Sequence, residues 1–422
     1  MAQINEELIS SNPWWKGAFG LKYKERDIYK EIRAFMPKKQ IIALVGLRRV
    51  GKTTLLYHIA NSEIALGLDP KNVLYFSFDN FKDIELSEII KEYEKMFGKD
   101  LSSGRYLLLL DEIQKLKNWE EQVKRVYDRP SANIKIIISG SESLSIQKRY
   151  KESLAGRVYE FRVKPLSFKE FLSFTGTDFN PPALYHKELS NILQEYIRTQ
   201  GFPELVGVSD ELEIKKYVSE GIVDKILFKD IPAIFNIENV DALESLLHIL
   251  MEEPGQTLDT VKLSKELGIS RNTVSDYLRY LQESFLLKRL YNFSNNKRKM
   301  ERSLKKYYAS IVSPAATFSA DTLTRSKVFE WLIVNQLDAN FFWRDQQKHE
   351  VDIVLLKEKK VTPIEIKYGK IDTSGLEHFM EKFGIKQGYV ISSDEMKSYN
   401  ANGKKIEAVP AWKWLLDVRT SG

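Results

Sequence analysis

The eight residues Gly46-Leu47-Arg48-Arg49-Val50-Gly51-Lys52-Thr53 constrain this chain more than any other stretch, because they follow the pattern G-x-x-x-x-G-K-T. Such a loop needs a strand before it and a helix after it. Residues 41–45, Ile-Ile-Ala-Leu-Val, are apolar and partly β-branched, and read as a buried parallel strand. Residues 54–60 carry apolar side chains at helical spacing. Gly46 and Gly51 let the loop curl, so that backbone N–H groups and the helix N-terminus point at a β-phosphate. Lys52 is expected to reach the β- and γ-phosphates, and the Thr53 hydroxyl to hold Mg²⁺. The expected nucleotide-binding set is therefore Gly46, Leu47, Arg48, Arg49, Val50, Gly51, Lys52, Thr53 and Thr54, with ATP and Mg²⁺ as cofactors.

A second motif lies downstream. Tyr106-Leu107-Leu108-Leu109-Leu110 is an apolar strand ending in Asp111-Glu112. Asp111 suits the Mg²⁺ shell, and Glu112 suits a base that orients the attacking water. Both motifs fall at strand ends, as a nucleoside triphosphatase requires. Ser139-Gly140-Ser141 ends a later strand, where Ser139 would stand beside the γ-phosphate; the plain alternative is a polar strand-end turn.

The 422 residues suffice for two to four domains, and 43% hydrophobic with 29% charged residues is a globular composition. With no cysteine, disulfides, thiolate nucleophiles, thiolate zinc sites and iron–sulfur clusters are excluded. Five scattered histidines argue against a histidine metal site. No apolar run approaches the about 18 residues of a membrane span. The N-terminus lacks a basic-then-apolar leader pattern, so a cytoplasmic location without membrane contact is expected.

Strands are expected near residues 41–45, 73–78, 106–110, 134–139 and 158–163, alternating with helix-length gaps, which means a parallel α/β core. The Trp14-Trp15 pair should pack on this core or on a neighbouring subunit. Arg157, just before the fifth strand, is placed as an arginine finger acting in a neighbouring subunit of a homo-oligomer; a structural ion pair is the alternative. A Gly/Asn/Pro-rich break at residues 175–182 suggests a boundary, followed by helices over 185–237 that fit a lid.

Residues 259–281 read as helix-turn-helix. Val261, Leu263 and Leu267 are apolar, Gly268-Ile269 makes the turn, and Ser270 caps a second helix. That helix should bury Val274, Leu278 and Leu281 and expose Arg271, Asn272, Ser275 and Arg279. Strands over 285–293 and 304–309 flank a basic hairpin tip, Ser294 to Lys299, and complete a winged helix. Residues 256–311 carry 12 Lys/Arg against 5 Asp/Glu, an excess of seven, while the whole chain has a net charge of only +6. Such a local excess marks a polyanion partner, DNA in the first place; packing or protein contact is the alternative, favoured by the outward Asp276.

In the last 110 or so residues, Val328, Phe329, Leu332, Ile333 and Leu337 mark an amphipathic helix carrying Glu330. Strands follow at 341–344, 350–356 and 361–367. A four-residue loop at 357–360 would pair Leu356 with Val361 and set Asp352 opposite Glu365. Lys367 then shares their face and stands opposite Glu350. Two facing acids repel. A second divalent metal, Mg²⁺ or Mn²⁺, held by Glu330, Asp352 and Glu365 would relieve this, with Lys367 positioning a water; a plain salt bridge is the bland solution. Pro363 implies an edge strand or an irregularity.

The segments Gly-Leu-Arg-Arg-Val-Gly-Lys-Thr, Leu-Asp-Glu-Ile-Gln, Ser-Gly-Ser, Ala-Gly-Arg-Val-Tyr-Glu-Phe and Gly-Phe-Pro-Glu-Leu occur in that order. Together they resemble archaeal and bacterial AAA+-type ATPases that join the ATPase core to a winged helix. Trp343-Arg344, Glu350-Val351-Asp352 and Pro363-Ile364-Glu365-Ile366-Lys367 resemble the PD-(D/E)XK restriction-endonuclease-like domain often fused to them. The resemblance implies Glu330, Asp352, Glu365 and Lys367 as the nuclease residues, although Val351-Asp352 stands where the family has Pro-Asp. The expected fold is an α/β P-loop NTPase core (1–175), a helical lid (176–238), a winged helix (239–311) and an α/β nuclease-like domain (312–422). The expected function is Mg²⁺-dependent ATP binding and hydrolysis on nucleic acid, with a C-terminal domain that holds or cuts it. The alternatives are a nucleotide-controlled switch or scaffold for protein partners, and a nuclease that ATP only gates.

Overall fold

The computed structural model describes all residues except 1, 18, 82, 130–132, 141–152, 359, 402 and 418–422. It divides into two compact units, Met1–Pro165 and Leu166–Gly422.

The first unit is built on five parallel strands: β1 (Ile41–Val45), β2 (Val73–Ser77), β3 (Arg105–Asp111), β4 (Asn133–Gly140) and β5 (Val158–Arg162). Their spatial order is β2-β3-β4-β1-β5. Every residue of β1 is buried, as a parallel strand covered on both faces should be. Register decides function here. Val45 pairs with Gly140, Leu110 with Ile138, and Ser77 with Asp111. The ends of β1, β3 and β4 therefore open on one edge of the sheet, which receives the phosphate loop, Asp111-Glu112 and Ser139. Ser141 lies outside the described residues.

Both N-terminal tryptophans pack on this unit, as expected. The indole N–H groups of Trp14 and Trp15 donate to the Val73 carbonyl at 3.1 and 2.9 Å. Trp14 meets Tyr57, and Trp15 meets Phe97, edge to face. Asn12, fully buried, accepts from Tyr75 N–H at 2.7 Å and donates to Tyr75 C=O at 2.8 Å.

The second unit begins at Leu166, ahead of the expected boundary near 175. The reason is the helix Phe168–Thr175, whose Phe168, Phe171 and Leu172 share one apolar core with Leu193 and Tyr196, Phe329 and Leu332, Ile364, Ile391 and Trp412. The expected lid, the strands of the expected winged helix (Leu290 and Tyr308) and the C-terminal region all contribute to that core. Two five-stranded sheets complete the unit. One has the order β10-β9-β7-β8-β6, from β6 (Gln256–Thr257), β7 (Leu287–Asn292), β8 (Lys305–Ala309), β9 (Phe341–Arg344) and β10 (Glu350–Val351). The other has the order β11-β12-β13-β15-β14, from β11 (Ile353–Lys357), β12 (Lys360–Lys367), β13 (Gln387–Ser392), β14 (Lys397–Ala401) and β15 (Lys404–Pro410).

The hairpin register is as expected at Leu356↔Val361, but pairing continues to Lys357↔Lys360, so the loop is shorter than four residues. At the other end, pairing stops at Ile353↔Ile364, and Asp352 sits in a bend between β10 and β11. Glu350 consequently pairs with Arg344 on β9 rather than facing Lys367, whose ladder partner is Ser392. Pro363 is not on an edge strand. It pairs with Val354 just before the parallel β12–β13 ladder begins at Ile364, so the missing N–H is not needed there.

Candidate functional site

The phosphate loop is shaped by two glycines. Gly46 has φ 151°, and a Cβ there would lie 2.1 Å from the Val163 carbonyl oxygen, so no side chain fits. Gly51, at φ 93°, precedes the helix Lys52–Ala65. Lys52 is buried rather than solvent-facing, with its ammonium 2.9 Å from both the Gly46 and Leu47 carbonyls. The loop thus closes around the cation that is to meet a phosphate. Leu47 and Val50 are buried, Arg48 is half-buried, and Arg49, Thr53 and Thr54 are exposed.

Asp111 is buried at the end of β3 and saturated with donors. Its Oδ2 accepts from Thr53 Oγ1 at 2.6 Å and from the Tyr75 hydroxyl at 2.9 Å; its Oδ1 accepts from Glu112 N–H at 3.0 Å and from the Ser139 hydroxyl. Four donors hold one carboxylate in a single orientation. Ser139, fully buried, is one of them. Thr53 and Asp111 offer hard oxygen ligands side by side, the donor set Mg²⁺ takes beside a nucleotide phosphate. Glu112 has left-handed backbone (φ 51°), and its Oε2 accepts from Gln114 Nε2 at 2.7 Å. Burial raises the Glu112 pKa, while the charges of Lys52 and Arg48 oppose that shift. This is the balance a base near neutral pH needs.

In the second unit the helix-turn-helix has the expected form. Helices Thr260–Glu266 and Arg271–Glu283 are joined through Gly268, at φ 65°, and Thr273 N–H donates to the capping Ser270 hydroxyl at 3.1 Å. Val274, Leu278 and Leu281 are buried, whereas Arg271, Asn272, Ser275 and Arg279 are exposed. Of the apolar residues of the first helix, Leu263 is buried and Val261 is exposed. The antiparallel β7–β8 pair is tipped not by an irregular loop but by a short helix, Lys297–Arg302, capped by Asn296; Lys297, Arg298, Lys299 and Arg302 are exposed on it. Arg279 is tied to Asp276 at 3.0 Å and to Glu283 at 3.8 Å, which offsets its charge.

The four acidic and basic residues expected in the C-terminal region do meet, but around a residue the sequence did not nominate. Lys306 of β8 is buried, with Nζ 2.5 Å from Glu350, 3.2 Å from Glu330 and 3.8 Å from Asp352. The Tyr308 hydroxyl donates to Glu330 at 2.5 Å, Ile366 N–H donates to Asp352 at 2.8 Å, and Lys367 pairs with Glu365 at 2.8 Å. Burial and the nearby Glu365 and Glu330 push the Asp352 pKa well up. Burial pushes Glu365 up to about 7 against the opposing pull of Lys367. Among the described residues, its buried Oε2 has no hydrogen-bond partner. Among the described residues, Glu330, Asp352 and Glu365 do not converge as a metal-ligand group; the one that does is Asp345, His349 and His378. Lys306 supplies the positive charge that the acids demand.

Comparison with known proteins gives the first unit its class. Residues 38–172 match the AAA domain family. Over that stretch the first unit resembles AAA domains, and its parallel α/β sheet with a phosphate loop after β1 has their P-loop architecture. Residues 190–318 and 326–414 match two domain families of unknown function, DUF8612 and DUF4143. Two uncharacterized proteins of Methanocaldococcus jannaschii are similar along nearly their whole length: one is 29% identical over 94% of this chain and 91% of its own. The other is 27% identical over 93% and 92%. The AMPPCP-bound DnaA of Aquifex aeolicus overlaps 61% of this chain and 88% of its own at 15% identity and a TM-score of 0.31, too distant to inform the fold.

The first unit also uses residues that motif reading missed. Buried Arg26 braces the loop from behind, donating to the carbonyls of Val50 at 2.9 Å and Lys164 at 2.8 Å. Tyr75 orients Asp111 from the neighbouring strand. Neither belongs to a local pattern: Arg26 stands in the charged run Lys24-Glu25-Arg26-Asp27, and Tyr75 in the middle of the apolar strand β2. Arg157 lies at the start of β5, its carbonyl accepting from Ile41 N–H at 2.8 Å, which is the sheet edge opposite the phosphate loop. Its guanidinium pairs with Asp128 at 3.4 Å and lies over the Tyr127 ring. Within its own chain it is remote from the nucleotide site.

Among the described residues, no helix is long and apolar enough to cross a membrane.

Proposed function

We propose that this protein binds and hydrolyses Mg²⁺-ATP in its AAA core and couples that cycle to nucleic acid, DNA in the first place, through its second unit. The observation that carries the reading is the Thr53–Asp111 hydrogen bond of 2.6 Å beneath the loop, with Glu112 one residue on. Lys52 neutralises phosphate oxygens, Thr53 and Asp111 hold the metal, and Glu112 takes the proton of a positioned water. Ser139 and Tyr75 fix Asp111, a positioning role in place of γ-phosphate sensing. Bound Mg²⁺ offsets the charge that develops on the phosphates.

The helix-turn-helix with its β6-β8-β7 sheet is read as a winged helix whose basic hairpin tip meets phosphates. Reversing charge at Lys297, Arg298 and Lys299 should weaken DNA affinity across sequences. It should also flatten the log–log salt slope by roughly 0.9 for every phosphate that the tip no longer neutralises. Steady-state ATP turnover with single-stranded, duplex and branched DNA, for wild type and this variant, tests the coupling. Unchanged turnover with DNA, together with unchanged affinity in the variant, returns the protein to the class of nucleotide-controlled scaffold.

The C-terminal region is read as a nuclease-like domain that holds DNA rather than cuts it. The support is Lys306, whose ammonium lies among Glu330, Glu350 and Asp352 and offsets their charge without a metal. Arg157 is read as a trans-acting finger in a homo-oligomer. Mixed assemblies of Arg157→Ala and Lys52→Ala chains, each inactive alone, should recover activity at boundaries that pair an intact loop with an intact finger. Mixed assemblies without recovery exclude the role.

A further inference from the structure

The nucleotide cycle uses none of the histidines, yet two of them meet. The turn between β9 and β10 runs Asp345 to His349, and closes by Asp345 N–H donating to the His349 carbonyl at 3.1 Å. It brings His349 Nδ1 to 2.9 Å from Asp345 Oδ2. The helix Ser374–Phe383, distant in sequence, supplies His378, whose Nε2 lies 3.4 Å from the same oxygen. One donor atom from each of the three residues lies within 4.8 Å of the others. Ligands about 2.0–2.2 Å from one tetrahedral ion stand roughly 3.3 Å apart, so the His378–Asp345 separation of 3.4 Å already matches a coordination sphere, while His349 and Asp345, at hydrogen-bond distance, need to part by a few tenths of an ångström.

The surroundings favour a cation over a simple ion pair. The Asp345 side chain is 5% exposed, and the side chains of His349 and His378 are 39% and 46% exposed. The carboxylate is thus anchored inside while both imidazoles border solvent, an arrangement that gives an ion entry and leaves room for a water ligand. The two imidazole rings stack at 4.2 Å and 17°. The imidazole nitrogens are the metal-binding atoms of this residue type. Buried Trp343 lies nearly parallel to the His378 ring at 6.0 Å and 25°.

We propose that Asp345, His349 and His378 bind one divalent first-row transition ion of the zinc class. Two imidazole nitrogens and one carboxylate oxygen are borderline ligands that select such ions over Mg²⁺ or Ca²⁺. The ion pins the β9–β10 turn to the helix Ser374–Phe383. Because His349 precedes Glu350, it also fixes the strand that presents an acid to Lys306. This site is separate from the nucleotide chemistry and from the acid cluster, and it stands if either of those readings falls.

The test is direct titration of untagged, chelator-stripped full-length protein with Zn²⁺ by calorimetry, and with Co²⁺ by visible absorption, in the absence of nucleotide. Wild type should take up one equivalent that His378→Gln lacks, with Zn²⁺ affinity falling on the order of 100-fold or more, since even changes to residues behind the ligands cost 10–100-fold. Co²⁺ should give d–d bands in wild type that His378→Gln and His349→Gln both lose, while circular dichroism of the variants stays native. Mg²⁺ at the same concentration should not compete. Absence of a saturable equivalent in wild type, or binding that persists undiminished in both folded histidine variants, would overturn the site and leave the three residues as an ion pair only.

Discussion

Replacing Glu112 by Gln is expected to leave ATP binding near the wild-type level while slowing hydrolysis by ~10²–10⁴-fold, the usual contribution of a positioned general base. The amide preserves shape and the contact with Gln114, but it cannot accept a proton from water. The pKa of Glu112 is raised by burial and restrained by Lys52 and Arg48. Wild-type turnover should therefore lose its base on acidification above the ordinary carboxylate range, as the carboxylate protonates. Nucleotide binding by calorimetry and phosphate release in the steady state separate the two effects. A Glu112→Gln protein that hydrolyses ATP normally would remove Glu112 from the mechanism, and a protein that fails to bind would mean the side chain shapes the loop instead.

Lys306→Met should destabilise the second unit by about 3–5 kcal/mol at pH 8, the cost of leaving buried charge without its partner. Glu330, Glu350 and Asp352 all lie within 3.8 Å of this ammonium, so its loss leaves Glu350 to Arg344, at 3.5 Å, and Glu330 and Asp352 to protonation. Glu365, with its pKa raised to about 7, sets the sign of the pH dependence. A raised acid contributes stability that is present at low pH and lost as pH rises through the folded-state pKa. Wild type should thus lose part of its stability between about pH 5 and pH 7, and Lys306→Met should lose more and continue losing it above neutrality. Adding Glu330→Gln to Lys306→Met should recover part of the loss. Urea unfolding at pH 5.5 and pH 8 measures all three proteins. Equal stability of wild type and Lys306→Met at pH 8 would show that the acids are neutralised in some other way.

The nucleotide site was largely legible because its chemistry is local. A phosphate loop must sit between a strand and a helix, and Asp111-Glu112 must end a strand, so order and spacing suffice to place them. What escaped was contributed across strands. Tyr75 reaches Asp111 from β2, and Arg26 reaches Val50 and Lys164 from a segment with no pattern of its own. The burial of Lys52 also had no local signal, because the loop carbonyls that enclose its ammonium are backbone groups without a sequence signature. In the second unit, hydrophobic period and turn residues located the helix-turn-helix, the Leu356↔Val361 register and the gathering of Glu330, Asp352, Glu365 and Lys367. They did not give Lys306. On β8 it counted as one of many basic residues of the hairpin, and only the joining of β9 and β10 to β7 brings Glu350 to it. The same joining places His349 near His378, which scattered histidines gave no reason to expect.

The pairing of Asn12 with Tyr75 has a consequence for how these molecules behave beside one another. β2 is the outermost strand of its sheet, and such a strand offers a free row of amide and carbonyl groups to any passing chain. Here one side-chain amide imitates a neighbouring strand at Tyr75, and two indoles occupy the Val73 carbonyl. The sheet is thereby finished on that side by its own N-terminal segment, and strand addition along β2, the commonest route to runaway aggregation of an open sheet, is closed before any partner arrives.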